Sequence, residues 1–406
     1  MTIRESVDLS EDLPAQHETL RALLAGKRSP AGLAAEHGYH PGLHARLSAE
    51  LGLPGWTIPA EFGGLGKSQV EACAIHTELG RALYPGPFLP SSVAAGALLA
   101  TGHREACERW LPLLADGTVA GTVAAADQAG HWAPGPGSVR ADYGTGGWRL
   151  SGRRWYAVSA DAADLIVIPA VTEYGLAMFL AETRFPDLIV ARQLDLDLTR
   201  RISIVSFEAA PAELLTKDGA EALARAEREF LIATAAEAAG GIGWCLEQTL
   251  AYVKGQAEAD SPDFGPAAQL CVDMLTDMET ISAAARYAAA ATDIGAAGAQ
   301  QAAHIAALQA GQTYRRVIDA AMSFADEEDG LLHYRRAWSA ERLAGGPQAH
   351  RDALAARLAR RHHRPDADQL GCRDRDRDRD RERRGGRLLQ RFGDRHQRGV
   401  GPERLR

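Results

Sequence analysis

Lysine is almost missing from this sequence, occurring only at Lys27, Lys67, Lys217 and Lys254, while arginine is found throughout. The two cations differ at bidentate sites but exchange freely on most solvated surfaces. The bias therefore reads as coding composition, not as function. Long apolar runs are missing too. The longest, around Val93–Ala100, falls far short of the roughly 20 residues that span a bilayer. The start, Met1-Thr-Ile-Arg-Glu-Ser-Val-Asp8, is too polar for a signal peptide, so no membrane insertion is expected and the protein is expected in the cytoplasm. Cysteine is sparse: Cys73, Cys107, Cys245, Cys271 and Cys372 show no C-x-x-C spacing, which argues for reduced thiols against a disulfide framework or a zinc site. Aromatic residues make up only 6% of the chain, and with alanine abundant this favours close-packed helices over a β-sandwich. A net positive charge is also lacking. The formal value of −8 excludes a general nucleic-acid binder.

What is present is enough chain for a large core and two or three domains, at 406 residues. Up to about Gly117, Leu20, Leu23 and Leu24, then Ala72, Ile75, Leu79 and Leu83, recur at helical spacing. From Thr118 to Leu215 the apolar runs are short: Thr122–Ala126, Trp148–Ser151, Trp155–Val158, Leu165–Ala170, Ala177–Ala181 and Ser203–Phe207. Gly and Pro clusters separate them, so a compact β-domain is expected over 118–215. Helical patterning returns at Ala220–Lys254, Gln269–Ala291 and Gln300–Phe324, which suggests a bundle over 216–361 whose small residues let neighbours approach closely. The predicted fold class is mainly α with a central β-domain, an N-terminal helical domain over 1–117 preceding it. Residues 362–406 contain the repeat Arg373-Asp-Arg-Asp-Arg-Asp-Arg-Asp-Arg381. Such a tail buries too little apolar surface to offset its ordering entropy, and a shifted reading frame in GC-rich DNA would also produce the dipeptide repeat.

Two motifs invite sharp readings that fail. Gly63-Gly-Leu-Gly-Lys-Ser68 has the end of a phosphate loop, but Glu61 stands where the first glycine is needed. His37, His40 and His44 have ligand-like spacing, but Pro41 and Gly42 interrupt them and no carboxylate pair accompanies them, so a solvated loop is expected. There is no Gly-x-Ser-x-Gly elbow and no Rossmann fingerprint.

The helical, strand-rich, helical order is joined by several specific runs. These are Gly55-Trp-Thr-Ile-Pro-Ala-Glu-Phe-Gly-Gly-Leu-Gly66, Glu78-Leu-Gly-Arg-Ala-Leu-Tyr-Pro-Gly-Pro-Phe88, the segment Gly147–Asp164, Asp273-Met274 and Tyr334-Arg-Arg-Ala337. Together they make the chain, from near Ser10 to near Arg360, resemble the acyl-CoA dehydrogenase family, and actinobacterial members in particular. The resemblance implies an N-terminal helical domain, a middle β-barrel and a C-terminal helix bundle. It also implies FAD and an acyl-CoA or acyl-carrier thioester, with an electron-transfer acceptor for the reduced flavin. The implied chemistry removes the α-proton with a carboxylate of raised pKa while flavin takes the β-hydride. The assembly implied is a homo- or hetero-oligomer, in some relatives with a paralogous subunit.

The positions the resemblance assigns to the flavin fall on Ala124, Ala126, Tyr156, Ala157, Val158 and Gln256. Several depart from the family pattern. Ala126-Asp127 stands for Thr-Glu, and Tyr156-Ala157-Val158 for Trp-Ile-Thr, so a hydroxyl becomes a methyl. An arginine that holds the diphosphate or adenine across a subunit boundary is replaced by Gln256, with Glu258 and Asp260 adding negative charge. A His-Gly-Gly motif is missing near Ala321–Ala325, and the common base position falls on Ala344-Gly345. The remaining candidate base is Glu229, with Glu237 and Glu341 behind it. The plain alternative for Glu229 is a solvated helix residue beside Arg225 and Arg228. Three readings stay open: a working FAD dehydrogenase with Glu229 as base, a subunit that leans on a paralogue for flavin and base, or a vestigial product.

Overall fold

Helix signals in the first hundred residues are local and strong. Pro41 occupies the first turn of a helix, where its missing N–H is harmless, and Ser68 with Glu71 forms a reciprocal capping box. The structure is a computed structural model and describes residues 13–25, 39–132, 139–193, 197–258, 264–325 and 327–362. His37, Asp260 and the Arg-Asp repeat lie outside them. The N-terminal helices are α1 (Leu13–Leu24), α2 (Pro41–Leu51), α3 (Gln69–Arg81), α4 (Phe88–Thr101) and α5 (Arg104–Ala115). The expected solvated loop at His40 and His44 is corrected: Pro41 starts a helix here. His40 caps α2 by accepting from the Leu43 N–H, and His44 in the same helix pairs with the Tyr84 hydroxyl at 2.9 Å. The Gly-Lys-Ser stretch is the entry into α3.

The strands are β1 (Gly121–Val123), β2 (Arg140–Gly144), β3 (Gly147–Val158), β4 (Leu165–Thr172), β5 (Gly175–Glu182), β6 (Leu188–Arg192) and β7 (Ile202–Thr216). Pairings β4–β5, β5–β7, β7–β3, β3–β2 and β2–β4 return to the starting strand, so five strands close into a barrel. β1 runs parallel beside β4, and β6 lies on β7. Two predicted strands, Trp148–Ser151 and Trp155–Val158, are one long strand interrupted by register shifts at Leu150/Ser151 and Arg154/Ala157. β2 and β6 escaped the sequence pattern because most of their residues are exposed, which leaves no apolar alternation to read. The barrel has its own core, built around Val139, Ile166, Ile168, Phe179 and Phe207.

After β7 come α6 (Ala220–Glu258), α7 (Phe264–Asp293), α8 (Ala299–Ala321), α9 (Glu327–Arg342) and α10 (Gly346–His362). A second, larger core joins α4, α5, β1, α6, α7 and α8. Element type changes between Ala115 and Gly121 and again between Thr216 and Ala220, yet the described residues up to Leu354 form one compact unit.

α6 is the axis of that unit, and small residues set how closely α3 crosses it. A Cβ on Gly240 would lie 1.9 Å from the Thr77 carbonyl oxygen, and one on Gly80 would lie 2.2 Å from the Glu237 carbonyl oxygen. Neither backbone can yield cheaply. Alanine is favoured over glycine by about 1 kcal/mol inside a helix, but overpacking costs about 1–3 kcal/mol and should win. Gly240→Ala is expected to lower the unfolding free energy measured in urea by about 1–2 kcal/mol; a more stable variant would show that the two helices can part without loss.

Candidate functional site

The barrel mouth meets α9 across a cavity of about 530 Å³. Its barrel wall is Tyr156 at the end of β3 and Ile202 at the start of β7, and its helical wall is one face of α9. Tyr334, Trp338 and Arg342 recur at i, i+4 and i+8 on that face, with Arg335 and Ser339 beside them. Tyr156 sits inside the β3 register shift with φ 55°, a region a bulky residue enters only when its surroundings hold it there. Its hydroxyl donates to the Gln128 carbonyl at 3.2 Å. Neither Arg335 nor Arg342 pairs with a carboxylate among the described residues, so the cavity carries unneutralised positive charge beside three aromatic rings. One face of the Trp338 ring is covered by the Arg315 guanidinium at 3.4 Å.

α9 is held to the barrel by buried charges. Arg336 donates from Nε to the Thr199 hydroxyl (2.9 Å), from Nη2 to the Thr199 carbonyl (2.7 Å) and from Nη1 to Glu237 (3.1 Å). Its Nε also stands 3.2 Å from Asp197. Arg200 completes the set by pairing with Glu237, and the Ser339 hydroxyl donates to Asp197. All of these residues are buried. Two arginines balance two carboxylates, so the cluster is neutral as a whole and expensive to unbalance. His76 lies 4.0 Å from Glu237, and burial lowers it to about 4, with Glu237 opposing and Arg200 adding to the shift. It is neutral in the fold.

The residues assigned to a flavin divide into two groups. Ala124, Ala126, Ala157 and Val158 are buried where β3 passes the chain after β1, Ala124 and Ala157 in the barrel core and Ala126 and Val158 in the larger core, with Tyr156 half-buried against the latter. The Trp155 N–H donates to the Ala126 carbonyl at 3.0 Å, and the Thr122 hydroxyl to the Val158 carbonyl at 2.7 Å. Gln256 is elsewhere, in the last turn of α6. At roughly 1.5 Å per residue it lies about 39 Å along the helix from Phe230, which packs near Tyr156. One chain does not bring the two groups together.

Glu229 corrects one expectation: it is no solvated residue, being only 3% exposed. Its Oε1 accepts from Gln69 at 3.0 Å and from Arg225, while its Oε2 is buried without a partner among the described residues. Burial raises its pKa against the pull of Arg225. Its neighbour Phe230 lines a small apolar space beside Tyr156, but Glu229 lines neither that space nor the large cavity. Glu237 is spent on Arg200 and Arg336. Glu341 pairs with Arg315 at 2.8 Å. None of the three carboxylates faces the 530 Å³ cavity. The run Tyr334-Arg-Arg-Ala337 carries the family resemblance but no role that the sequence assigns. Its signal was the i, i+4, i+8 spacing of large side chains on one helix, which binds these residues to one face but does not say what that face meets.

The cavity suits a planar, anionic ring system, through Tyr156, Tyr334, Trp338 and the two arginines that have no carboxylate partner among the described residues. The hydroxyls are less obliging: Val158 has none, and that of Ser339 is taken by Asp197.

Residues 10–118 match the acyl-CoA dehydrogenase N-terminal domain. Acyl-CoA dehydrogenase IpdE2 of Mycolicibacterium smegmatis is 26% identical over 356 residues, covering 86% of this chain and all of the relative. IpdE2 of Mycobacterium tuberculosis is 29% identical over 83% of this chain and 94% of its own. Among solved structures, butyryl-CoA dehydrogenase from Megasphaera elsdenii superposes with a TM-score of 0.76 at 19% identity, over 87% of this chain and 99% of that one. The ChsE4-ChsE5 complex from Mycobacterium tuberculosis superposes with a TM-score of 0.75 at 21% identity, over 87% and 98%. These structures share the fold. Among the described residues no helix is long and apolar enough to cross a membrane.

Two predictions follow the charge cluster. Arg336→Met leaves Asp197 and Glu237 with one guanidinium between them, and should lower the unfolding free energy by roughly 3–5 kcal/mol; a loss below about 1 kcal/mol would mean the cluster is solvated. The second concerns pH. The folded pKa of His76 lies below its unfolded value near 6.5, so its contribution is complete above pH 6.5 and fades as pH falls toward 4, because only the unfolded chain takes up the proton. Thermal melts of wild type and His76→Gln should diverge at pH 7 and converge by about pH 4, with a change near 3 kcal/mol; parallel curves would place His76 in contact with water.

Proposed function

We propose that this chain, which matches the acyl-CoA dehydrogenase N-terminal domain over residues 10–118 and is similar to an acyl-CoA dehydrogenase over 86% of its length, is a subunit of an FAD-dependent enzyme that desaturates an acyl thioester at its α,β-carbons, and that its own flavin site is incomplete. The observation that carries this reading is the placement of Gln256 and Glu258 in the last turn of α6, about 39 Å from the residues beside Tyr156. A flavin whose ring rests near Tyr156 and α9 needs its diphosphate held by a different chain. A second copy of this chain would offer a neutral amide and a carboxylate there. A paralogous subunit can offer an arginine. The flavin, when bound, supplies the hydride acceptor; this chain supplies the barrel wall, the aromatic and cationic face of α9 and the charge cluster that holds them.

A second reading, a non-catalytic structural partner of a paralogous dehydrogenase subunit, is favoured by the absence of Glu229, Glu237 and Glu341 from the cavity lining. The two readings part on one preparation. Purified alone, the chain is expected to show little or no visible flavin absorbance, and co-expression with a paralogous subunit is expected to bring FAD with the complex. Stoichiometric FAD on the chain alone would overturn the incomplete site. In the complex, Glu229→Gln should slow acyl-CoA oxidation at least a hundredfold if this chain donates the base; unchanged turnover selects the structural role.

A further inference from the structure

Tyr156 separates two spaces. On one side lies the 530 Å³ cavity. On the other is a remnant of about 10 Å³, at the lower limit for a single water, enclosed by Pro90 and Val93 of α4, Val123 of β1, Val158 of β3 and Phe230 of α6. Its wall is apolar apart from Thr122, whose hydroxyl is already spent on the Val158 carbonyl. Aliphatic chain would be at home there, but the room is taken by Trp132.

Trp132 is only 7% exposed and packs on Phe230 with ring centroids 5.2 Å apart at 34°. A tightly tied turn delivers it. The Asp127 carboxylate accepts from the N–H groups of Ala129 and His131, both at 2.9 Å. The Asp127 N–H donates to the His131 carbonyl at 2.9 Å, and Gly130 closes the turn on the Asp127 carbonyl with φ 89°. The Tyr156 hydroxyl ties the same turn to the end of β3 through Gln128. Turn, plug and partition are one hydrogen-bonded piece.

We propose that Trp132, backed by Phe230, is a specificity-determining plug: it keeps the acyl part of a thioester from passing Tyr156 into the apolar space between α4, β1 and α6, so that the chain takes short or compact acyl groups. This rests on the reading that the chain is a subunit of an enzyme acting on an acyl thioester, whose acyl part would meet the flavin beside Tyr156. Asp127 and Tyr156 are positioning residues in this arrangement, and neither touches the acyl group beyond the partition. Shortening Trp132 joins the two spaces and lets several further methylenes leave water.

The test is calorimetric binding of butyryl-CoA and octanoyl-CoA to the full chain, with its partner subunit where the two co-purify. For the wild type, octanoyl-CoA should bind no more tightly than butyryl-CoA. Trp132→Ala should raise affinity for octanoyl-CoA at least tenfold relative to butyryl-CoA, which two newly buried methylenes would supply. Phe230→Leu opens the same space from α6 with a smaller loss of core and should shift the ratio the same way, so the test stands if Trp132→Ala melts too low to use. Butyryl-CoA binding with a chain-length ratio that neither variant changes by more than twofold would overturn the plug and leave the function standing. Binding of neither thioester to any of the three proteins would overturn both.

Discussion

Everything around the cavity depends on a neutral cluster of four buried charges. Asp197 and Glu237 come from the chain before β7 and from α6, and Arg200 and Arg336 come from the same loop and from α9. Such a cluster adds little net stability compared with well-packed apolar residues, since desolvation offsets most of the Coulomb gain. What it supplies is position. A hydrophobic seam would let α9 slide against the barrel mouth, whereas Arg336 bound at once to Thr199, Asp197 and Glu237 permits one placement. That placement fixes Trp338 and Ser339, two and three residues further along, and with them the helical wall of the cavity.

A second constraint is length. α6 is a single helix of 39 residues, and helices are stiff, so its first two thirds and its last turn serve different sites. Its first two thirds pack against α3 and α4, where Gly80 and Gly240 permit close approach and Glu229 is buried beside Gly96. Its last turn carries Gln256 and Glu258 away from the barrel. No rearrangement short of breaking the helix would unite the two groups of flavin positions within one chain. The positions the resemblance assigns to a flavin therefore lie in two places: Tyr156 lines the cavity, with Ala157 and Val158 next to it in β3, and Gln256 stands in the last turn of α6.

The barrel side of the cavity is also shaped by strain and polar ties. Tyr156 is held at positive φ inside a register shift, and Asp127 spends its carboxylate on a turn. The turn that Asp127 closes leads directly into Trp132, whose indole packs on Phe230.

The sequence alone determined the element types. Apolar period, capping box, Gly and Pro punctuation and the family-like runs were enough for helix, strand and helix again, because these signals are local and repeat over many residues. It also pointed to positions, Gln256 and Ala344 among them, where the resemblance implies a departure from the family pattern. Exposed strands β2 and β6, and the helix begun by Pro41, were not legible: an edge with no buried face leaves no alternation, and a proline reads as a breaker until its place at a first turn is known. Only the tertiary structure decided that Glu229 is buried and away from the cavity, that Arg336 and Glu237 meet across 99 residues, and that Trp132 fills the space behind Tyr156. Each is a contact between distant segments, set by how barrel and helices close on one another, and no local pattern records a distance of that kind.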